Sequence, residues 1–486
     1  MRALARAAAG WRPPASLTGP QASRYLAGSW GEIAGRLSVG LALAPEVAEL
    51  LAAGVLVPAG NILAAFGRLP DGSRLPIYPN CAVLEPTEGQ WVANVRIARK
   101  LWAHNTGVGF YLGDLADPAR AVRELQAACS ATRPAHGRPQ RGNMAVVPAS
   151  HPRVLDFVRS KGTVERANAT GLFNNSVSFR NLEHMVASPG LLREIAAAAW
   201  ATGCPGVVLE DRLQACPKKP GSGWDRYRAL VPCGEQTMYP GETCALAAVN
   251  LASPLLRTGT GDLDLAGLAS AAEAGVDLLN RVLDQTTHVD PFTAAQSREF
   301  RRVGLGVTGF ADLLAELDLV YGEGPAVRLA DQTAAALART GRAAAARHGN
   351  VSATCLQPTG GVTGLLRLNG YSIEPDFLAS TRLPLDAHLR TLDAFQRHLD
   401  NGVSKTINLP ANTTPDQVLG ALLQAFQTTC ARSVTVFRDG CRDQPVRLTP
   451  ATPPTPKNAR DDPGCGPGAA TTLRQLGAVT GDLGLD

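Results

Sequence analysis

Apolar positions along this chain change period several times. PEVAELLAAGVL, residues 45–56, repeats its apolar side chains at helical spacing behind Pro45, and residues 25–56 as a whole read as short helices. From about 77 to 445, short apolar runs such as MAVVPA, PGVVLE and SVTVFRD alternate with helical stretches such as LADQTAAALARTGRAAAARHG. That alternation predicts one large α/β body. After about 446 the text turns to LTPATPPTPKNARDDPGCGPGAATT, whose Pro, Gly and Thr content predicts a mobile tail. The expected units are therefore an N-terminal helical region (1–76), an α/β domain (77–445) and a tail (446–486), with no internal repeat.

Composition narrows the function classes. A chain of 486 residues can bury a large core, and no run of about 18 apolar residues suggests a membrane span. The net charge of +5 is spread along the length without a basic block, which argues against a nucleic-acid groove and leaves small anionic substrates open. The first 31 residues carry no acidic side chain, as an organellar leader would, but Pro13 and Pro14 break any amphipathic helix there. A cytoplasmic location is the expectation. Ten cysteines without a signal-peptide core point to reduced thiols with catalytic or metal-binding uses rather than a disulfide scaffold.

The densest chemistry lies in LVPCGEQTMYPGETCALAAVN, residues 230–250. Pro232 before Cys233 and Gly234 after it predict a tight turn or loop tip. If the segment is locally extended, residues 231, 233 and 235 share a face, which sets a thiol beside a carboxylate. Such a pair suits hydrogen transfer with acid–base work, although a buried, inert thiol satisfies the same residues. No C-x-x-C pair occurs, and His184 and His288 stand at no ligand spacing to these thiols, so no metal site is expected. Cys233 and Cys244 could also close a local or transient disulfide.

Other signals are weaker one by one. QPTGGVTGLL, residues 357–366, offers Gly360, Gly361 and the hydroxyls of Thr359 and Thr363. These would make a neutral phosphate cradle, or an ordinary strand-to-helix turn. WAHNTGVGFYL carries Gly107 and Gly109 ahead of an apolar run, and GLFNNSVSF places Asn174, Asn175 and Ser176 on a strand.

Taken together and in order, the pieces resemble the ribonucleotide reductases, specifically the adenosylcobalamin-dependent class II catalytic chain. They are NCAVLEP at 80, NTGVGFYL at 105, RGNMAVVPASHPRVLDFVRSKG at 141, FNNSVSF at 173 and VPCGEQTMYPGETCALAAVNLASPL at 231. RRVGLGVTGFADLLAELDLVYG at 301, QPTGGVTGLLRLNGYSIEPDF at 357, VSKTINLP at 403 and SVTVFRDGCRDQPV at 433 complete the set. The resemblance implies a ten-stranded α/β barrel with a central finger loop that bears Cys233 at its tip. It implies that a 5'-deoxyadenosyl radical from adenosylcobalamin oxidises Cys233, whose thiyl removes the ribose 3'-hydrogen, while Glu235 exchanges the 3'-hydroxyl proton. Cys81 and Cys244 match the dithiol that ends as a disulfide. Pro358, Thr359, Gly360, Gly361, Val362 and Thr363 match the phosphate loop. Asn80, Gly107 and Gly109, with Pro232 and Gly234 beside the thiol, match positions lining the nucleotide. Implied partners are a ribonucleoside di- or triphosphate and a thioredoxin-like or small dithiol reductant, with a homodimer possible.

This chain departs from the family pattern in places. The family writes Asn-Pro-Cys-Gly-Glu where Val231 opens the motif here, and Val cannot hydrogen-bond a ribose or the acid–base network. The tail offers a single thiol, Cys465, where relatives carry a pair, so Cys441 or a small dithiol would have to help. A shortened segment between NTGVGFYL and RGNMAVV, and the lack of an ATP-binding cone, lead us to expect no effector control of the ordinary kind. Two other readings stay open: a non-catalytic or repurposed nucleotide-binding paralogue, and a class I large chain. The absence of any Tyr-Tyr pair weighs against the latter.

Overall fold

The computed structural model describes residues 1–9, 24–135, 142–164 and 173–441. The expected tail, with Cys465, lies outside the described residues, as do residues 136–141 at the end of the shortened segment.

Twelve strands are described, and ten of them form one sheet. In chain order they are β1 (Leu56–Pro58), β2 (Cys81–Leu84), β3 (Gly107–Tyr111), β4 (Asn143–Pro148), β5 (Phe173–Phe179) and β6 (Gly206–Leu209). Next come β7 (Ala229–Leu230), β8 (Thr237–Met238), β9 (Thr243–Asn250), β10 (Val303–Thr308), β11 (Thr406–Leu409) and β12 (Ser433–Arg438). Strands β2 to β6 run parallel. Helices Trp91–Ala103, Pro118–Ala131, Val154–Val164 and Pro189–Thr202 link them on the outside. The second half repeats the plan: β9 pairs parallel with β10, and β11 with β12. Between β10 and β11, single bridges from Leu305 to Thr354 and from Leu356 to Val403 carry the hydrogen bonding across a segment too short to register as a strand. The halves meet antiparallel at two seams, β2 against β9 and β6 against β12.

Period-two alternation gives the sheet an outer and an inner face. Ala82, Leu84, Val108, Phe110, Ala145, Val147, Val177 and Phe179 face the helices in the main hydrophobic core. Their neighbours Cys81, Val83, Tyr111, Met144, Val146, Cys244 and Leu246 belong to a second, inner cluster. Several inward positions are small or polar, among them Gly107, Gly109, Gly304 and Gly306. That leaves room for a hairpin, β7 paired with β8, which joins the two halves and inserts Leu230 and Val231 into the inner cluster.

In the N-terminal region the helices Trp30–Gly40 and Pro45–Ala52 pack in the same core cluster as the sheet. The region also contains β1, which pairs antiparallel with β9 through Leu56–Val249 and Pro58–Ala247. Asn80 fills the gap between β1 and β2 along β9, its Oδ1 accepting from the Leu246 amide at 3.2 Å. Among the described residues no helix is long and apolar enough to cross a membrane.

Candidate active site

The finger positions the central motif. Ala229 pairs with Met238 and Leu230 with Thr237, and the Val231 amide donates to Gln236 O at 3.0 Å, which closes the hairpin. The tip is a turn rather than extended backbone: Gly234 adopts φ +78°, and its amide donates to Val231 O at 2.9 Å. The expected common face for residues 231, 233 and 235 is therefore not formed. Val231 is completely buried among apolar side chains, Glu235 is 2 % exposed, and Cys233 projects outward. The turn arises because Pro232 fixes φ and Gly234 accepts the left-handed conformation that other residues avoid.

The walls hold the tip in place. Asn174 Nδ2 donates to Pro232 O at 3.1 Å, the Gly402 amide to Glu235 O at 2.9 Å, and the Thr237 amide to Asn401 Oδ1 at 3.3 Å. Gly109 lies against the finger backbone, since a Cβ there would stand 1.8 Å from Leu230 O. Gly107 faces Pro232 and the Cys81 sulfur in the same way, at 3.0 and 3.4 Å. Both glycines thus accommodate the finger, whatever else they line. We expect Gly109→Ala to displace the hairpin and lower stability by about 1–3 kcal/mol, the usual scale of overpacking, as read from a urea melt.

Cys81 and Cys244 are register partners at the β2/β9 seam, and both side chains belong to the inner cluster. Cross-strand partners have Cβ atoms roughly 4.5–5.5 Å apart. A disulfide needs nearly that separation, so two residues distant in sequence are poised to pair. By contrast Cys233 and Cys244 lie on different elements, the finger tip and the wall.

The phosphate-loop segment starts a helix, Gly360–Leu366, as a cradle would require. Pro358 and Gly361 are exposed, Gly360 is half-buried and Val362 is buried. The two hydroxyls, however, turn inward: Thr359 Oγ1 meets Thr308 Oγ1 at 2.7 Å and accepts from the Ser372 amide at 2.6 Å, and Thr363 Oγ1 donates to Thr359 O at 3.1 Å. Any anion would therefore meet the backbone of the loop rather than these side chains. Thr308 ends β10, and the antiparallel seam puts that end on the side where β2 and β3 begin, beside Gly107 and Pro232.

Behind the loop sits a buried polar knot that the sequence did not signal. Lys405 Nζ donates to Glu374 Oε1 at 2.5 Å and to His388 Nδ1 at 2.8 Å, while His388 Nε2 donates to Ser380 O at 3.1 Å. That geometry requires a neutral imidazole protonated on Nε2. Burial, reinforced by the Lys405 charge, lowers the His388 pKa to about 2. Because the unfolded chain gains a proton near pH 6.5 and the folded chain does not, this contribution to stability is complete above pH 6.5 and declines as pH falls toward 2. The slope is about 1.4 kcal/mol per pH unit. Subtracting the acid-denaturation profile of His388→Gln from that of the native chain should isolate it; parallel profiles would refute it.

Two further features became visible only in three dimensions. Tyr227 stacks on Tyr239 with ring centroids 4.1 Å apart at the base of the finger, although no two tyrosines adjoin in the sequence. Arg302, wholly buried, binds Glu242 there and donates to the Tyr227 hydroxyl at 3.2 Å. Among the described residues no group of three or more His, Cys, Asp or Glu side chains is arranged to hold a metal ion.

Residues 171–355 match the family model for the barrel domain of the ribonucleotide reductases. Sequence relatives of the chain include the vitamin B12-dependent ribonucleoside-diphosphate reductase of Mycobacterium tuberculosis (strain CDC 1551 / Oshkosh), 29 % identical over 418 residues, covering 65 % of this chain and 59 % of that one. The enzyme of the same name from Thermoplasma acidophilum is 24 % identical over 426 residues, covering 66 % of this chain and 54 % of the relative. The chain thus spans little more than half the length of these relatives. Among solved structures, the Actinobacillus ureae class Id ribonucleotide reductase alpha subunit superposes with a TM-score of 0.66 at 14 % identity, covering 89 % of this chain and 95 % of that one, a likeness of fold.

Proposed function

We propose that the chain reduces ribonucleotides to 2'-deoxyribonucleotides by thiyl-radical chemistry, with adenosylcobalamin as cofactor. The observation that carries this reading is the register pairing of Cys81 with Cys244 on the wall around a finger that bears Cys233 and Glu235. The names of the relatives point to a ribonucleoside diphosphate as substrate.

Cys233 is the only exposed residue from Val231 to Met238, so a radical-generating group approaching the tip meets this thiol first, and the residues present fit the cofactor in that respect. When bound, adenosylcobalamin supplies the one-electron chemistry that turns the Cys233 thiol into a thiyl. Cys233 then takes the 3'-hydrogen of the ribose. Glu235, buried beside it, accepts the 3'-hydroxyl proton, and the 2'-hydroxyl departs as water. Cys81 and Cys244 give two electrons and two protons and join as a disulfide, after which Cys233 returns its hydrogen to C3'. The balance is ribonucleotide plus dithiol to deoxyribonucleotide, disulfide and water. Asn80, Gly107, Gly109, Pro232 and Gly234 surround this chemistry, and the loop Pro358–Thr363 takes the phosphates through its backbone.

A second reading, a nucleotide-binding paralogue without chemistry, is favoured by Val231, whose apolar burial leaves no amide where relatives place one. Incubation with a ribonucleoside diphosphate, dithiothreitol and adenosylcobalamin separates the two. Deoxyribonucleotide is the expected product. No product from the native chain, with product restored by Val231→Asn, would establish the paralogue.

A further inference from the structure

A cluster of polar side chains beside the finger lies over two glycines of β10. Where Gly304 lacks a Cβ, the space is taken by Gln236 Nε2 and Cys355 Sγ, at 2.3 and 2.6 Å from the position that atom would occupy. At Gly306 the same holds for Gln357 Oε1 at 2.7 Å. An alanine at either position would collide, so both glycines are required for this cluster to form. Cys355 Sγ lies 3.7 Å from Gln357 Oε1, and Gln357 Nε2 is fixed to Ala247 O at 2.6 Å. Gln236 Nε2 is held by Val303 O at 3.2 Å, while its Oε1, fully buried, has no hydrogen-bond partner among the described residues. Burial and then the nearby Glu235 charge push the Cys355 thiol well above its ordinary range, keeping it a neutral S–H.

A buried amide oxygen without a protein partner calls for a donor from outside the chain, and at the finger a nucleotide hydroxyl can supply one. Gln236 follows Glu235 directly and pairs with Val231 across the finger, so it stands at the point where Val231 contributes nothing polar. We propose that Gln236, braced by Cys355 and Gln357, is a binding site for the ribose 2'-hydroxyl, accepting its hydrogen bond at Oε1 while Glu235 serves the neighbouring 3'-hydroxyl. This rests on the nucleotide reading given above. A neutral acceptor suits that hydroxyl, since it holds the leaving oxygen without removing its proton. The thiol is a brace rather than a redox centre, so the assignment adds no electron transfer.

The test is equilibrium binding by calorimetry without cofactor, comparing a ribonucleoside diphosphate with its 2'-deoxy counterpart. The native chain is expected to prefer the ribonucleotide by about tenfold, the scale of one well-placed hydrogen bond. Gln236→Leu should reduce the ratio to near unity with 2'-deoxy affinity unchanged, and Val231→Asn in that background should restore part of it. Cys355→Ala, which removes the brace without adding bulk, should lower the ratio in the same direction and serves as the reading if Gln236→Leu does not fold. A ratio unchanged in Gln236→Leu, or in Cys355→Ala if it alone folds, overturns the inference and leaves the nucleotide reading intact. A native chain that binds neither diphosphate overturns both.

Discussion

Cys233→Ser is expected to abolish deoxyribonucleotide formation while leaving the fold unchanged. A serine hydroxyl has the right size but cannot pass a hydrogen atom back and forth as a thiol does. Removing the atom through which a reaction proceeds costs roughly a millionfold in rate where it has been measured. The side chain is exposed at the tip, outside both hydrophobic clusters, and surface changes of this kind shift stability by about 0.5 kcal/mol or less. The two readouts must therefore diverge: product falls to background and the urea midpoint stays. Product from the serine variant would remove Cys233 from the mechanism. A large fall in stability would mean that the thiol is structural.

The largest stability effect is expected from Arg302→Met. Arg302 and Glu242 are both fully buried, and the guanidinium makes a two-pronged contact, Nε to Oε2 at 2.6 Å and Nη2 to Oε1 at 3.0 Å. Ser352 Oγ accepts from Nη1 at 3.3 Å, and Glu242 Oε1 also accepts from the Tyr239 amide at 2.7 Å. Breaking a buried pair by removing one partner leaves the other charge without compensation, which typically costs about 3–5 kcal/mol. Methionine fills much of the volume, so the loss reports the charge rather than a cavity. The double variant Arg302→Met, Glu242→Leu should recover part of it, because an apolar pair of similar volume has no desolvated charge. Urea denaturation measures all three chains, and a single variant within 1 kcal/mol of the native one would contradict the argument. Since Tyr227 and Tyr239 flank the finger, the single variant should also loosen the hairpin that carries Cys233.

Much of this architecture was legible in the sequence because short apolar runs alternating with helical stretches are a local signal. MAVVPA and SVTVFRD announce strands whose apolar faces meet helices, and they became β4 and β12. What escaped were features made by contacts between distant segments. The stretch 354–356 completes the second half with single bridges, too few to leave a strand-length pattern. LVP at Leu56–Pro58 closes a helical region yet pairs with β9, because a strand edge was available there. The glycines of WAHNTGVGFYL looked like a weak nucleotide signal, whereas Gly109 accommodates Leu230; those of RRVGLGVTGF drew no reading of their own, yet Gly304 accommodates Gln236 and Cys355. The stacking of Tyr227 on Tyr239, one on either side of the finger, left no mark in the sequence because the hairpin brings the two rings together. At the site itself, the motif PCGE gave the turn but not the orientation of its side chains. The extended alternative failed because Pro232 and Gly234 together favour a turn.

A single turnover without external reductant tests the central claim most directly. The protein is reduced, freed of small thiols, and mixed with adenosylcobalamin and a ribonucleoside diphosphate; deoxyribonucleotide is then counted and cysteine-containing peptides are mapped by mass spectrometry. The account predicts a stoichiometric burst of product, with Cys81 joined to Cys244 in the same proportion and Cys233 in no disulfide. Product without the Cys81–Cys244 link would contradict it, as would that link forming equally when nucleotide is left out.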